Sequence, residues 1–312
     1  MPAQPKIAVV GSVNMDVVSV VAKFPQPGET VHALETSFHG GGKGANQAVA
    51  AAAAGASVAF IGAVGVDAFA EPLAAGLAAR GVGVEALARV PGASGQAFIT
   101  VDASGQNTII VSSGANGRVT SGAVEAARAH IAQADALLTQ NEVPWEATFA
   151  AMRLAHDAGV RVVCNPAPAF APPAEAFPLM DTLILNEVEA ATITRRAVAT
   201  IDDAAQAASE LIGRGAREVV VTLGALGSVY LGASGRRIDT PIFPVDVVDT
   251  TAAGDTFIGY LVAAAQEDVA EALRFATAAS AVKVSRLGAQ ESIPTRAEVE
   301  AFLQQVKAGD GR

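Results

Sequence analysis

Apolar positions along the chain fall into two rhythms. Short unbroken apolar runs at residues 6–10, 57–61, 136–138, 161–164, 182–185, 218–223 and 229–231 suit strands buried on both faces. Between them, apolar residues recur at helical spacing over 123–131, 146–158, 202–213, 257–265, 271–284 and 296–306. Strand and helix in regular succession predict an α/β fold with a central, mostly parallel sheet flanked by helices. Two places break the rhythm. Residues 17–21 and 31–38 read as strands around Pro25, Pro27 and Gly28, and residues 96–102 and 107–112 read as a hairpin across 103–106, with no helix inside either pair. They predict a small antiparallel β lid, contributed by about 14–40 and 95–114, that covers a crevice and keeps water out. Its outer face offers a surface for a homodimer.

The uncharged run 44–66 is long enough to raise a membrane span, but it is mostly Ala and Gly with Asn46, Gln47 and Ser57 inside. Of the Leu, Ile and Phe that such spans are rich in, it carries only Phe60 and Ile61. A buried Ala-rich helix, a turn at Gly55 and a strand from Ser57 fit it better. At 312 residues the expectation is a single domain over 1–312 with the lid as its appendage. The first residues lack the basic-then-apolar order of a secretory signal, so the mature chain is expected to start here, and 307–312 are expected to fray.

Charge narrows the partners. With 21 Lys and Arg against 31 Asp and Glu, net −10, a nucleic acid or an anionic membrane is disfavoured and a small molecule favoured. Cys164 is the single cysteine; an intrachain disulfide or a cysteine metal cluster is impossible, which suits the cytoplasm. His32, His39, His130 and His156 show no helical metal-ligand pairing.

The chemistry concentrates at 249–256, DTTAAGDT. Residues 243–248 read as a strand and 257–265 as a helix, so Ala252, Ala253 and Gly254 fall at a helix N-terminus. Free amides and the positive end of the helix dipole favour an anion there. Asp255 has two readings, a favourable first-turn carboxylate or a base that takes the proton of a hydroxyl attacking a phosphoryl group. A second cluster, GGGKGANQA at 40–48, opens the Ala-rich helix with Lys43 and Asn46 at its start. It is neither a Walker A loop nor GxGxxG, and alone it could be a structural turn. Asn14 and Asp16 follow the first strand, where open α/β sheets bind ligands but where Asx turns also occur.

Taken in order, GSVNMD at 11–16, the glycine cluster and 249–255 closely resemble the ribokinase-like carbohydrate and nucleoside kinase family. So do NPAPA at 165–169, NEVE at 186–189, TLGALG at 222–227 and LGAQESIP at 287–294. The likeness spans nearly the whole chain. It implies a ribokinase-like fold and an ATP-dependent sugar kinase, with D-ribose 5-phosphate as the favoured product. A kinase for deoxyribose, another sugar or a nucleoside is the alternative. A sugar-binding sensor on this fold is a third reading, against which the intact Gly254-Asp255 pair argues.

The resemblance also implies roles. Asn14, Asp16, Gly42, Lys43, Asn46 and Glu142 would hold the sugar hydroxyls, with Ala97 and Val111 as apolar lining. Glu142, just before Pro144, could equally only precede a helix. Asn186, Thr222, Gly224, Gly227 and Thr277 would meet ATP, and Glu189 would hold Mg2+ through water, although Asn-x-x-Glu is also a helix cap. A K+ ion would sit on the Asp249 carboxylate, the carbonyls of Thr251, Lys283, Arg286 and Gly288, and the Ser292 hydroxyl. Lys283 and Arg286 could instead be plain helix C-terminal charges. Segment 193–200, with Arg195 and Arg196, departs from the family pattern.

Overall fold

The structure, a computed structural model, describes residues 4–264 and 268–309. Strands β1 (Lys6–Val10), β2 (Asn14–Val20) and β3 (Glu35–Gly41) precede the first helix, α1 (Lys43–Ala53). Next come β4 (Ser57–Val64), α2 (Ala70–Ala79), β5 (Val82–Gly83), β6 (Leu87–Arg89), β7 (Gly95–Val101) and β8 (Asn107–Ser112). The middle of the chain forms α3 (Ser121–Ala126), α4 (Arg128–Ala132), β9 (Ala136–Thr139), α5 (Trp145–Asp157), β10 (Arg161–Cys164) and β11 (Thr182–Asn186). Then follow α6 (Glu187–Thr194), α7 (Ile201–Gly213), β12 (Glu218–Thr222), β13 (Ser228–Gly232) and β14 (Arg237–Thr240). The last three are α8 (Ala253–Ala263), α9 (Val269–Val284) and α10 (Arg296–Gly309).

The main sheet runs β14-β13-β12-β11-β10-β9-β1-β4-β5, with β6 also on β4. From β12 to β5 every pair is parallel, and only β13 and β14 turn antiparallel. Parallel strands need covering on both sides, which is why their apolar runs are unbroken. Along β1 the side chains alternate between two cores: Ile7 and Val9 face the layer of α1, α2, α8, α9 and α10, while Ala8 and Val10 face α3 to α7. Each fully buried Val or Ile contributes roughly 1.5–3 kcal/mol.

The lid is a separate sheet, β3-β2-β7-β8. Its outer pairs are antiparallel as expected, but the middle pair, β2 with β7, is parallel. Asn14 and Gly95 stand side by side in that register, so both strands leave the body in the same direction.

Other expectations need correction. No strand forms at 243–248; that stretch is irregular. Pro241 and Pro244 bring no N–H to a ladder, and Ile242, Phe243, Val245 and Val247 line a cavity instead. The first half of the expected strand 31–38 lies outside β3, and the expected helix 123–131 breaks into α3 and α4. Helix α2 and strands β5, β6 and β14 were not foreseen. Residue 265 of the expected helix 257–265, and residues 310–312 of the expected frayed tail, lie outside the described residues; α10 itself runs to Gly309.

Segment 193–200 has a structural account. Arg195 ends α6 in the left-handed conformation at φ 56°, and Arg214 donates to the Ile193 carbonyl at 3.1 Å. Thr200 and Asp203 then form a capping box that starts α7. Two helices thereby meet in a short turn, capped on both sides.

Helices α1 and α8 pack with almost nothing between them. A Cβ on Gly259 of α8 would stand 2.5 Å from the Ala50 Cβ and 2.6 Å from the Gln47 carbonyl oxygen. This seam brings the two helix N-termini together above the sheet.

Candidate active site

Ala252 caps α8 at φ 56°, the left-handed region. A residue with a Cβ held there costs roughly 1–3 kcal/mol, and such strain concentrates at functional sites. The Ala253 amide donates to the Thr250 carbonyl at 3.1 Å and closes the turn, and around Gly254 there is open space, with no atom within 4 Å of where a Cβ would stand.

In the first turn of α8, Asp255 is buried and fixed from α1. Asn46 Nδ2 donates to one carboxylate oxygen at 3.1 Å and Gln47 Nε2 to the other at 2.9 Å. Both donors are themselves held. Gln290 Nε2 donates to Asn46 Oδ1 at 3.0 Å, and Gln140 Nε2 to Gln47 Oε1 at 2.6 Å. Gln47 Nε2 also reaches Asn165 Oδ1 at 3.0 Å. Two of these buried amides come from α1 and the other three from separate parts of the chain, and a satisfied network of this kind orients a carboxylate far better than one long side chain could.

The start of α1 carries the polyol-type set. Gly42 takes φ 91°, the Lys43 amide donates to Glu142 Oε2 at 3.0 Å, and Ser12 Oγ donates to the same oxygen. Burial pulls the Lys43 ammonium down, yet the carboxylates of Asp255, Glu142 and Glu189 outweigh it and hold its pKa above the ordinary lysine value. Asp16 sits on β2. Its carboxyl is pushed up to about 7 by burial, then by the charges of Glu142 and Glu291. Among the described residues none donates a hydrogen bond to it, and Gly41 leaves it room: a Cβ there would lie 2.1 Å from Asp16 Oδ2. Asn14 is buried, with its Oδ1 accepting from Asn116 Nδ2 at 2.7 Å.

The lid register explains the apolar pair. His39, Asp16, Ala97 and Val111 form one row across the four strands. Cross-strand partners share a face, so Ala97, which is buried, and Val111, more than half exposed at the edge, lie on the same side as Asp16. The neighbouring row, Phe38, Val17, Phe98 and Ile110, lies on the other face.

Two adjoining cavities meet at the α8 turn. The first, about 220 Å3, is lined by Lys43, Asn186, Glu189, Thr222 and residues 252–255 among others. The second, about 570 Å3, is mainly apolar; Gly224, Gly227, Phe243 and Thr277 help to line it, and it shares Thr222, Thr250, Ala253 and Gly254 with the first. A long ligand with one flat apolar end and one anionic end fits that pair. Glu189 forms a capping box with Asn186 at 2.8 and 3.0 Å, so the cap reading of Asn-x-x-Glu is realised, while both residues still face the first cavity. Burial raises the Glu189 carboxyl, only partly offset by the Asn186 amide and Lys43.

The turn is anchored behind. The Asp249 carboxylate accepts from the amides of Thr251 at 2.8 Å and Gly288 at 3.0 Å. Burial acts against its charge, but these amides and Lys283 hold its pKa below the usual carboxylate value. Ser292 Oγ donates to the Gly288 carbonyl at 2.7 Å. Arg286 turns away to pair with Glu298 at 2.7 Å, as a plain helix-end charge would. Lys283 does not: its Nζ donates to the Asp249 carbonyl at 2.9 Å.

Residues 4–296 match the pfkB family carbohydrate kinase model. The chain belongs to that family. Among pfkB relatives, the ribokinase of Haemophilus influenzae is 42% identical, over 96% of this chain and 98% of its own. The crystal structure of ribokinase from Thermotoga maritima matches with a TM-score of 0.88 at 37% identity, covering 96% and 99% of the two chains. The structure of Arabidopsis thaliana ribokinase complexed with ribose and ATP matches with a TM-score of 0.89 at 32% identity, covering 96% and 99%. As a pfkB carbohydrate kinase this protein is a sugar phosphotransferase with the fold expected from its sequence.

Sequence reading assigned no role to Ser12, Gln47, Asn116, Gln140, Asn165 or Gln290. Ser12, Gln47, Asn165 and Gln290 do lie inside the recognised motifs, and that was the available signal. Asn116 and Gln140 had none.

Proposed function

We propose that this protein transfers the γ-phosphoryl group of ATP to the primary 5-hydroxyl of D-ribose. One observation carries the reading: the buried Asp255 carboxylate, pinned through both oxygens, stands where the phosphate-sized cavity meets the polar set under the lid. The attacking hydroxyl would give its proton to Asp255 while the turn at Ala252, Ala253 and Gly254 takes up charge on the transferred group. Phosphoryl transfer is loose, so a positioned carboxylate need not be a strong base. The Haemophilus influenzae ribokinase and the ribose and ATP complex of the Arabidopsis thaliana enzyme support this choice of sugar and donor. The test is a kcat/KM panel over ribose, deoxyribose, other pentoses and nucleosides. Ribose is expected to lead; absence of ATP turnover with every acceptor sinks the kinase reading.

The remaining assignments follow in kind. Asn14, Asp16, Gly42, Lys43, Asn46 and Glu142 would bind the sugar, with Ala97 and Val111 closing over it, and buried polar groups left unmatched would reject analogues lacking a hydroxyl. Thr222, Gly224, Gly227 and Thr277 would take the adenosine end, and Asn186 the phosphates. Among the described residues no cluster of three or more His, Cys, Asp or Glu could hold a metal ion. Mg2+, which charge-balances ATP, would therefore rest on phosphates and waters, with Glu189 as an outer acceptor.

At the anchored turn, the Asp249 carboxylate, the carbonyls of Thr251, Lys283, Arg286 and Gly288 and the Ser292 hydroxyl are oxygen donors of the type K+ takes. In this reading they hold the turn in shape for the phosphate. The chain would work as one kinase domain, with strands at 14–40 and 95–114 as its lid. The row Phe38, Phe98 and Ile110, from 45% to 71% exposed, would serve a homodimer through the lid. The single cysteine suits a cytoplasmic enzyme, and among the described residues no helix is long and apolar enough to cross a membrane.

A further inference from the structure

The lid and the loop after α9 meet through a polar pair that none of the roles above uses. His39 of β3 and Glu291 of the short turn Gln290–Ser292 join Nδ1 to Oε1 at 2.8 Å. The other ring nitrogen, Nε2, stands 2.8 Å from Ser37 Oγ. That hydroxyl can donate to Nε2 while Nδ1–H donates to the carboxylate, so a neutral imidazole completes both bonds. Each side chain of the pair is 37% exposed, too open to add much stability. Its worth lies in what it ties together.

His39 is the cross-strand partner of Asp16, on the same face of the lid. Glu291 folds over Gly288, where a Cβ would stand 2.8 Å from its side chain, and the Gly288 amide holds the Asp249 carboxylate at 3.0 Å. The neighbouring Gln290 holds Asn46, which pins Asp255. The end of β3 presses on the same turn: a Cβ on Gly40 would stand 2.9 Å from Gln290 Oε1. Ser292 Oγ stiffens the turn by donating to the carbonyls of Gly288 and Ala289 at 2.7 and 2.8 Å.

We propose that His39 and Glu291 form a clasp that couples the position of the lid to the setting of Asp255. With the pair made, β3 and the turn Gln290–Ser292 move as one piece, so the strand pair that places Asp16 over the sugar also sets Gln290 behind Asn46. The proposal rests on the reading of Asp16 as a sugar ligand and Asp255 as the base. His39 and Glu291 act through those two groups and are positioning residues.

His39→Leu, Glu291→Ala, the double variant and Glu291→Gln test the clasp against the parent. Hydrogen exchange of the ligand-free proteins reads it across the contact: H39L should speed exchange in 287–292, and E291A in 35–41, by about fivefold or more. With ribose as acceptor, each single variant should raise KM for ribose about fivefold and lower kcat about threefold, the scale of a hydrogen bond lost at a half-open site. KM for ATP should stay within about twofold. The double variant should be no worse than the worse single one, since one interaction is lost either way. E291Q keeps an oxygen for Nδ1–H and should stay within about twofold of the parent. Assays at about pH 8 keep Asp16 ionised, so the lost charge does not reach KM through that carboxyl. Folded single variants with parental kcat and KM for ribose overturn the proposal. So do losses that multiply in the double variant, an equal rise in KM for ATP, an E291Q as damaged as E291A, or exchange that changes only in the mutated segment. The exchange comparison needs no turnover: a parent inert toward every acceptor fails the kinase reading, while the clasp stands or falls on the cross-segment exchange.

Discussion

Asp255→Asn is the sharpest test of the site. The change preserves shape and removes the charge. In the parent, both carboxylate oxygens accept, from Asn46 at 3.1 Å and Gln47 at 2.9 Å. The amide can offer one oxygen only, so one of those donors would face an NH2 group. A buried donor left unmatched costs roughly 1–3 kcal/mol, against a typical total stability of about 5–15 kcal/mol. The variant should therefore fold, with a lowered Tm. Turnover should suffer more. General-base catalysis contributes about 10²–10⁴-fold, which at about 1.36 kcal/mol per decade is roughly 2.7–5.4 kcal/mol of barrier. ADP release with ribose, followed in a coupled assay, should show that loss in kcat, while KM for ATP stays within about threefold because the substitution keeps the side chain's size and leaves the other cavity walls in place. A purified, folded D255N that phosphorylates ribose at near the parental rate refutes the role of Asp255.

Three further outcomes are expected. Gln47→Leu removes the partner of Gln140, Asn165 and Asp255 together, so it should cost about 3 kcal/mol or more by urea denaturation and lower kcat at least about tenfold; unchanged values would mean the amide network carries nothing. Asp16 titrates near 7, raised from 3.8 by burial and by Glu142 and Glu291, so below pH 7 the free protein holds it neutral and sugar hydroxyls lose their acceptor. KM for ribose should climb as pH falls below 7, approaching about tenfold per unit, and Asp16→Asn should flatten the profile. The same raised pKa means a stability penalty that is absent below about pH 4 and grows up to about pH 7. A parental KM that is flat through this window counts against Asp16 as the acceptor. Ile110→Asp should convert a dimer to monomers in analytical ultracentrifugation; a parent that already sediments as a monomer removes the lid from consideration as an interface.

Much of this was legible in the chain. The strands of the parallel sheet announce themselves because burial on both faces demands unbroken apolar runs, and β1 and β10 fall on the residues expected. The turn at Ala252 and the role of Asp255 as first-turn carboxylate were also readable, since both depend on local chemistry. The misses have a common cause in tertiary contact. Residues 243–248 have the composition of a strand, but without a partner edge, and with Pro241 and Pro244 in place, their apolar side chains turn to a cavity. Gln140, at the end of β9, shows no spacing relation to Gln47 on α1, so nothing in the sequence links them until β1 and β9 pair. Lys283 reads as an ordinary helix-end charge, and only its complete burial tells otherwise.

The contact at Gly259 has a consequence for how this protein tolerates change. The separation between Asp255 and the amides that pin it is gauged by a hydrogen atom on one helix meeting the Ala50 methyl and the backbone of the other. A single added carbon there would push α8 from α1 and slacken both bonds to the carboxylate, although no residue that handles a reactant had been altered. The abundance of alanine in this chain is thus a dimension, a machined clearance between two parts, and drift in it would surface first as lost turnover.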